Sequence, residues 1–135
     1  MFRRVSAIVL KENMVLLVKM KEQDRSLPRA SWVFPFLQLT DDSSPRREVN
    51  TLLNNLGVEY ELSQKTFNYS PSENPKLNYV VYVAKYRDGE PEVGKMFQTY
   101  KWVPIKDITA YSTSFMDGNV AKYLNEIADR AERFE

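Results

Sequence analysis

The residues with the clearest chemical pattern lie between positions 42 and 55, where polar side chains recur at helical spacing. Thr51, Asn54 and Asn55 stand at i, i+3 and i+4, which places them on one face of a helix. Carboxylates at this spacing would bind a divalent cation, because Mg²⁺ prefers oxygen ligands and usually takes carboxylates. Threonine and asparagine oxygens are neutral, so this face accepts hydrogen bonds but carries no charge and no base active near pH 7.

Charged residues flank this polar face. Arg46 and Arg47 fall in the first helical turn, where backbone N–H groups point at a bound anion. Guanidinium groups bind phosphate through directed, bidentate hydrogen bonds. We therefore predict a metal-free anion site at Arg46 and Arg47, and the alternative is a pair of solvated surface arginines. Glu48 lies one turn before Thr51, on the Thr51/Asn55 side of the helix, and is a candidate for a displaced metal ligand.

These residues need a helix to position them, and the sequence predicts one over Pro45–Leu56. Ser44 suits the N-cap, proline suits the first helical position, and Gly57 suits the position after the C-cap. The predicted buried face is an apolar stripe at i, i+3, i+4 and i+7, formed by Val49, Leu52, Leu53 and Leu56.

The rest of the chain predicts strands on both sides of this helix and a second helix near the end. Runs rich in β-branched and aromatic residues favour strands. The predicted strands are Val5–Leu10, Met14–Met20, Trp32–Pro35, Val58–Tyr69, Asn78–Tyr86 and Gln98–Val103. A short helical turn is predicted at Ile105–Ile108 and a helix at Asp117–Phe134. This order favours an α/β sandwich with a mixed sheet.

Composition limits the chemistry. The chain has 135 residues, of which 43% are apolar, as expected for a single globular domain over positions 1–135. It contains no Cys and no His, which excludes disulfides, thiolate sites and histidine-dependent triads or zinc sites. A net charge of +1 gives no argument for a polyanionic partner. No stretch reaches the length of a membrane span, and we expect a cytoplasmic protein without a membrane partner.

The segment Phe36–Val58 resembles the box of the Nudix hydrolase family, Gly-x5-Glu-x7-Arg-Glu-U-x-Glu-Glu-x-Gly-U, where U is a bulky aliphatic residue. Leu52, Gly57 and Val58 match the motif, and Asp42 stands at its first glutamate. The remaining positions differ: Phe36 stands at the first glycine, Asn50 and Thr51 at Arg-Glu, and Asn54 and Asn55 at Glu-Glu. The segments Trp32–Pro35 and Trp102–Pro104 are similar to elements that precede the box and close the sheet in this family.

The resemblance implies a Nudix-like α/β/α sandwich with a mixed β-sheet. In the family, the helix glutamates hold Mg²⁺ or Mn²⁺ against a diphosphate that water then cleaves. Because these glutamates are absent here, we expect a catalytically impaired domain without a cofactor, which binds a nucleotide-like ligand or a protein partner. The alternative is a divergent pyrophosphohydrolase that holds Mg²⁺ through Asp42, Glu48 and acids such as Glu90 or Glu92. RNA binding is a third hypothesis. It is disfavoured because the basic residues are scattered rather than clustered.

Other candidate ligand contacts lie before the box. Trp32 and Phe34 could stack on a nucleobase, and core packing is the alternative for both. Arg25 and Arg29 suit phosphate contacts, and equally suit a solvated loop. The sequence leaves open which ligand binds and whether the chain forms a homodimer.

Overall fold

The computed structural model describes residues 2–21, 32–71, 74–94, 96–110 and 118–134. They form seven strands in one sheet, two α-helices and a 3₁₀ helix at Ile105–Ala110. The strands are β1 (Phe2–Lys11), β2 (Met14–Met20), β3 (Trp32–Val33), β4 (Phe36–Leu39), β5 (Glu59–Tyr69), β6 (Leu77–Asp88) and β7 (Phe97–Pro104). The helices are α1 (Pro45–Asn55) and α2 (Gly118–Phe134).

The sheet is mixed, as the sequence predicts. Its main path runs β3-β2-β1-β6-β5, with β4 paired to β1 and β7 paired to β2. The β1–β6 pair is parallel and extends from Phe2 opposite Leu77 to Leu10 opposite Lys85. The other pairs are antiparallel. With helices packed on this sheet, the α/β prediction is confirmed.

One edge of β1 is shared by two partners. Residues Arg3–Ser6 pair with β4, and Leu10 and Lys11 pair with β2. Between these two stretches, the Pro35 carbonyl accepts hydrogen bonds from the Ala7 N–H at 3.1 Å and the Ser6 hydroxyl at 2.9 Å. The chain therefore passes from β3 to β4 at Pro35. Proline has no backbone N–H, and it takes part here through its carbonyl.

The predicted strand Trp32–Pro35 is thus wrong in extent. β3 ends at Val33, and the chain resumes pairing as β4 from Phe36. Phe36 stands where the Nudix motif has a glycine, and the resemblance therefore did not indicate a strand at this position. The structure forms one because the backbone of β1 between Arg3 and Ser6 is available for pairing with β4.

The two helices cover opposite faces of the sheet. Tyr86 and Val81 lie an odd number of positions apart in β6, so their side chains point to opposite faces. Tyr60 pairs with Tyr86, and its hydroxyl reaches a side chain of α1. Phe67 pairs with Val81, and its ring centroid lies 5.5 Å from that of Tyr123 in α2. The described elements therefore form three layers, α/β/α.

Helix α1 has the predicted caps and the predicted buried face. Its N-cap Ser44 accepts a hydrogen bond from the Arg47 N–H at 3.4 Å, and proline fills the first turn. Gly57 has φ of +72°, the left-handed conformation that suits glycine after a helix end. The four stripe residues are fully buried: Val49, Leu52, Leu53 and Leu56. This prediction is confirmed, with Leu56 as the C-cap rather than the last helical residue.

Several predicted boundaries shift by one to three residues. β6 continues past Tyr86 to Asp88, because Asp88 pairs with Glu59 and the Arg87 side chain pairs with Glu61. Arg87 also lowers the pKa of the Glu61 carboxyl. The short helical turn extends to Ala110, and the predicted start of α2 lies outside the described residues. Within the described ranges, no helix is long and apolar enough to cross a membrane.

Among the glycines, Gly89 is the one where an added side chain would meet the closest contact. It has φ of +97°, and a Cβ there would lie 2.7 Å from the Gly57 carbonyl oxygen. We expect Gly89→Ala to lower the free energy of unfolding by about 1–3 kcal/mol, since both the backbone conformation and the space oppose it. Denaturant unfolding measures this change.

The matched control is Gly94→Ala, because nothing lies within 4 Å of a Cβ at Gly94. We expect that variant to stay within about 1 kcal/mol of the wild type. Equal losses in the two variants would contradict the close approach between Gly89 and the end of α1.

Candidate ligand-binding site

Two of the box-equivalent side chains on α1 form hydrogen bonds within the protein. The Thr51 hydroxyl donates to the Arg47 carbonyl at 3.2 Å, one turn earlier in the helix. The Asn50 amide donates to the Arg46 carbonyl at 3.1 Å and accepts a hydrogen bond from the Tyr60 hydroxyl. Asn50 therefore links α1 to β5 through Tyr60. The Thr51 hydroxyl has its hydrogen-bond partner within the helix.

Asn54 and Asn55 are exposed, as Thr51 is, and they lie in the last turn of the helix. Asn55 lines a cavity of about 430 Å³ together with Glu92, Gly94 and Met96. The loop that carries Glu92 is tied to α1, since the Glu92 N–H donates to the Leu56 carbonyl at 2.8 Å. The cavity thus opens where the last turn of α1 meets the loop between β6 and β7.

The arrangement of strands and helices that carries this face and this cavity is found in other solved structures. The chain superimposes on a NUDIX hydrolase from Nitrosomonas europaea with a TM-score of 0.66, at 18% identity over 93% of this chain and 70% of that one. A MutT protein from Methanosarcina mazei Go1 gives a TM-score of 0.68, at 16% identity over 97% and 94%. This chain has the Nudix fold. An ADP-ribose pyrophosphatase from Streptococcus suis is also similar, with a TM-score of 0.64 and 15% identity over 96% and 91%.

The likeness to Nudix proteins lies in the fold. No family model matches the sequence, and no curated protein matches it. The packing residues of the box, such as Leu52 and Gly57, are present, whereas the charged positions of the motif are occupied by other residue types. The Nudix resemblance stated from the sequence is therefore confirmed for the architecture.

The residues present do not fit the divalent cation that the Nudix box implies. The described residues contain no group of three or more Asp, Glu, His or Cys side chains placed to hold a metal ion. Asp42 is exposed in the loop before α1, and the Glu48 carboxylate lies 3.5 Å from Nε of Arg47. Glu92 lies beyond the other end of the helix, beside Asn55. These carboxylates are thus dispersed along α1 rather than gathered at one point.

Phe36, which stands at the first glycine of the motif, is part of a buried cluster on the α2 side of the sheet. The Arg4 guanidinium lies 4.4 Å from its ring centroid, within cation–π range. The rings of Tyr79 and Phe97 contact it edge-on, with centroids 6.4 and 6.0 Å away. Arg4 also donates to the side-chain Oε1 of Gln38 at 3.2 Å and to the Tyr79 hydroxyl at 3.3 Å. A large side chain therefore fills space that a glycine would leave open.

Sequence reasoning missed the role of Arg4. The available signal was its position, since it lies near the start of a strand in which six of the ten residues are apolar. A buried charge in such a strand needs specific partners, because desolvation of an ion is costly. The partners come from β4 and β6 and are remote in sequence, so pattern analysis could not name them.

The predicted anion site lies at the other end of α1. Arg46 and Arg47 are exposed, and Arg47 forms its ion pair with Glu48. Arg46 and Asn55 are nine positions apart, which corresponds to roughly 14 Å along a helix. The structure therefore does not bring the arginines into the cavity beside Asn55, and they form a separate surface at the start of the helix.

The remaining candidates fall in three different places. Phe34 is 2% exposed and belongs to the core, so its ring has no free face for stacking. Trp32 is half-buried on the short edge strand β3. Glu90 accepts a hydrogen bond from the Tyr100 hydroxyl at 2.9 Å, which raises the pKa of Tyr100. Arg25 and Arg29 lie outside the described residues.

The burial of the Tyr60 hydroxyl beside Asn50 makes stability depend on pH in the alkaline range. Burial raises the pKa of Tyr60 above its usual value of 10.0, so the folded state favours the protonated hydroxyl. This contribution is fully present below pH 10 and is lost as the pH rises through the higher folded-state pKa. We expect Tyr60→Phe to lower the free energy of unfolding by about 0.5–1.5 kcal/mol at pH 7, and by less above pH 10.

Denaturant unfolding at pH 7 and at pH 10.5 checks this expectation. Tyr82→Phe is the matched control, because it removes a half-buried tyrosine hydroxyl from the same sheet and leaves the Asn50 contact intact. A Tyr60→Phe variant with the same pH dependence as the wild type would show that this hydroxyl is not linked to folding.

Proposed function

We propose that this chain is a Nudix-fold protein that binds a nucleotide-like ligand through its phosphates and does not hydrolyse it. The observation that carries the proposal is the chemistry of the helix face beside the cavity. Asn54 and Asn55 are neutral there, and Glu92 is the one carboxylate that lines the cavity within the described residues.

The charge of the site explains how a phosphate ligand would be bound without being hydrolysed. Mg²⁺ at a phosphate site is held by one or two carboxylates in addition to the phosphates, and it lowers the pKa of a bound water that attacks. Asparagine amides donate hydrogen bonds to phosphate oxygens but add no negative charge. A phosphate ligand beside Asn54 and Asn55 would therefore meet donors and would lack an activated nucleophile.

The first test measures turnover. We expect hydrolysis of ADP-ribose and of nucleoside diphosphate derivatives to stay well below roughly 1 per second in the presence of Mg²⁺, the lower end of ordinary enzyme rates. Chelator should leave the residual rate unchanged. A rate above that level that chelator abolishes would contradict the proposal and favour the divergent hydrolase.

The charge argument has a gain-of-function test. We expect Thr51→Glu combined with Asn54→Glu and Asn55→Glu to bind Mn²⁺ at least about tenfold more tightly than the wild type, because carboxylates replace neutral oxygens. Calorimetry with Mn²⁺ measures the affinity. The matched control is Thr51→Gln combined with Asn54→Gln and Asn55→Gln, since glutamine has the length of glutamate without its charge.

The anion site at the start of α1 is the second part of the proposal. We expect ADP-ribose to bind in chelator, and we expect Arg46→Ala with Arg47→Ala to weaken that binding about tenfold or more, since hydrogen bonds to charged groups are strong. Calorimetry on both proteins measures the change. Arg130→Ala, an exposed arginine on α2, is the control. Binding that requires Mg²⁺, or no binding at all, would contradict a metal-free phosphate site.

A further inference from the structure

A second cavity of about 430 Å³ lies on the α1 side of the sheet, where β1, β6 and β7 end near one another. Its chemistry comes from three aromatic rings, one lysine and two carboxylates, contributed by Lys11, Tyr86, Asp88, Glu90, Tyr100 and Trp102. The volume lies within the range of small-molecule sites, roughly 300–1,000 Å³. None of these residues belongs to the box segment.

Strand register places the aromatic residues on one face. Lys11 pairs with Met14, and Leu16, two positions along β2, pairs with Trp102. Direct partners and residues two positions apart share a face of a sheet, so Lys11 and Trp102 point the same way. The parallel β1–β6 register brings Tyr86 to the same end of the sheet as Lys11.

The rings of Tyr86 and Trp102 form a corner that holds a cation. Their centroids are 5.1 Å apart and their planes meet at 71°. The Lys11 ammonium lies 5.0 Å from the Tyr86 centroid and 5.2 Å from the Trp102 centroid. Both distances are within the cation–π range of about 6 Å. The corner therefore already accommodates an ammonium group, which belongs to the protein itself.

The hydroxyl groups around the corner are directed away from it. The Tyr86 hydroxyl donates to the Gly89 carbonyl at 2.7 Å, and the Tyr100 hydroxyl donates to Glu90 at 2.9 Å. The walls are thus ring surfaces, and the rim carries the carboxylates of Asp88 and Glu90. If Lys11 leaves, the lining keeps two negative charges and no positive one.

Lys11 is able to leave because its side chain is half-buried and ends in a flexible four-carbon stem next to a hairpin turn. We propose that this aromatic corner is a binding site for a small organic cation with a quaternary ammonium group, and that Lys11 occupies it in the free protein. Aromatic corners bind such groups well, because methylated ammonium is weakly hydrated and meets the negative ring faces. The proposal does not depend on the phosphate-binding function.

The test uses the full chain and tetramethylammonium chloride as the probe, with NaCl at equal ionic strength as the salt control. The readout is the indole N–H resonance of Trp102 in a ¹H–¹⁵N NMR spectrum, assigned by comparison with Trp32→Phe. We expect a saturable shift of that resonance in the wild type. We expect Lys11→Met to bind the probe about two- to fivefold more tightly, because the competing ammonium is gone.

Two further variants separate the ring corner from a general salt effect. Tyr86→Leu removes one wall and should abolish the saturable shift. Lys85→Met removes a neighbouring exposed lysine whose side chain points to the opposite face, and its affinity should equal that of the wild type. Thermal unfolding of each variant shows that it is folded before the titration is interpreted.

Three outcomes would overturn the proposal. One is the absence of a saturable shift in both the wild type and Lys11→Met. Another is weaker binding of tetramethylammonium to Lys11→Met, which would show that the lysine does not compete for the corner. The third is a saturable shift with AMP that Lys11→Met abolishes, since that result would assign the cavity to an anionic ring ligand.

Discussion

The divided edge of β1 is the constraint on which the rest of this structure depends. One strand hydrogen-bonds to β4 along its first residues and to β2 along its last, while its other edge pairs with β6 throughout. A buried N–H or C=O at a strand edge needs a partner, and the Pro35 carbonyl supplies one for the Ala7 N–H, just after the stretch that pairs with β4. As a result of this division, β4 lies against α1 and β2 pairs with β7. It therefore sets the positions of both cavities.

Helix α1 shows that packing and chemistry are separable on one element. Its buried stripe and its caps hold the helix against the sheet, and they are independent of the residues on its exposed face. The exposed face can thus lose carboxylates without loss of the fold. Asn50 even adds a link to β5 through Tyr60 at a position where the Nudix motif has arginine. A scaffold of this kind tolerates a change from cation binding to hydrogen bonding.

The two faces of the sheet carry different kinds of cation–ring contact. On the α2 side, Arg4 is buried over Phe36, with hydrogen bonds from its guanidinium to Gln38 and Tyr79. On the α1 side, Lys11 is half-exposed at the end of the same strand, and its ammonium lies beside the rings of Tyr86 and Trp102. A buried, hydrogen-bonded guanidinium is part of the core, since removing it would strand its partners. A half-exposed ammonium exchanges its surroundings at little cost, and this difference makes the Lys11 corner suitable for a ligand.

The sequence by itself determined the elements whose signal is local. Helix α1, its caps, strand β2 and the α/β order follow from periodicity and turn residues, because a buried face must repeat with the period of its element. The missing charge at Thr51, Asn54 and Asn55 was also evident from residue types and spacing. Only the tertiary structure decided that Phe36 begins a strand, that Arg4 lies over it, and that Lys11 meets Tyr86 and Trp102. These contacts join residues far apart in the chain, and their geometry depends on strand register, which no local pattern specifies.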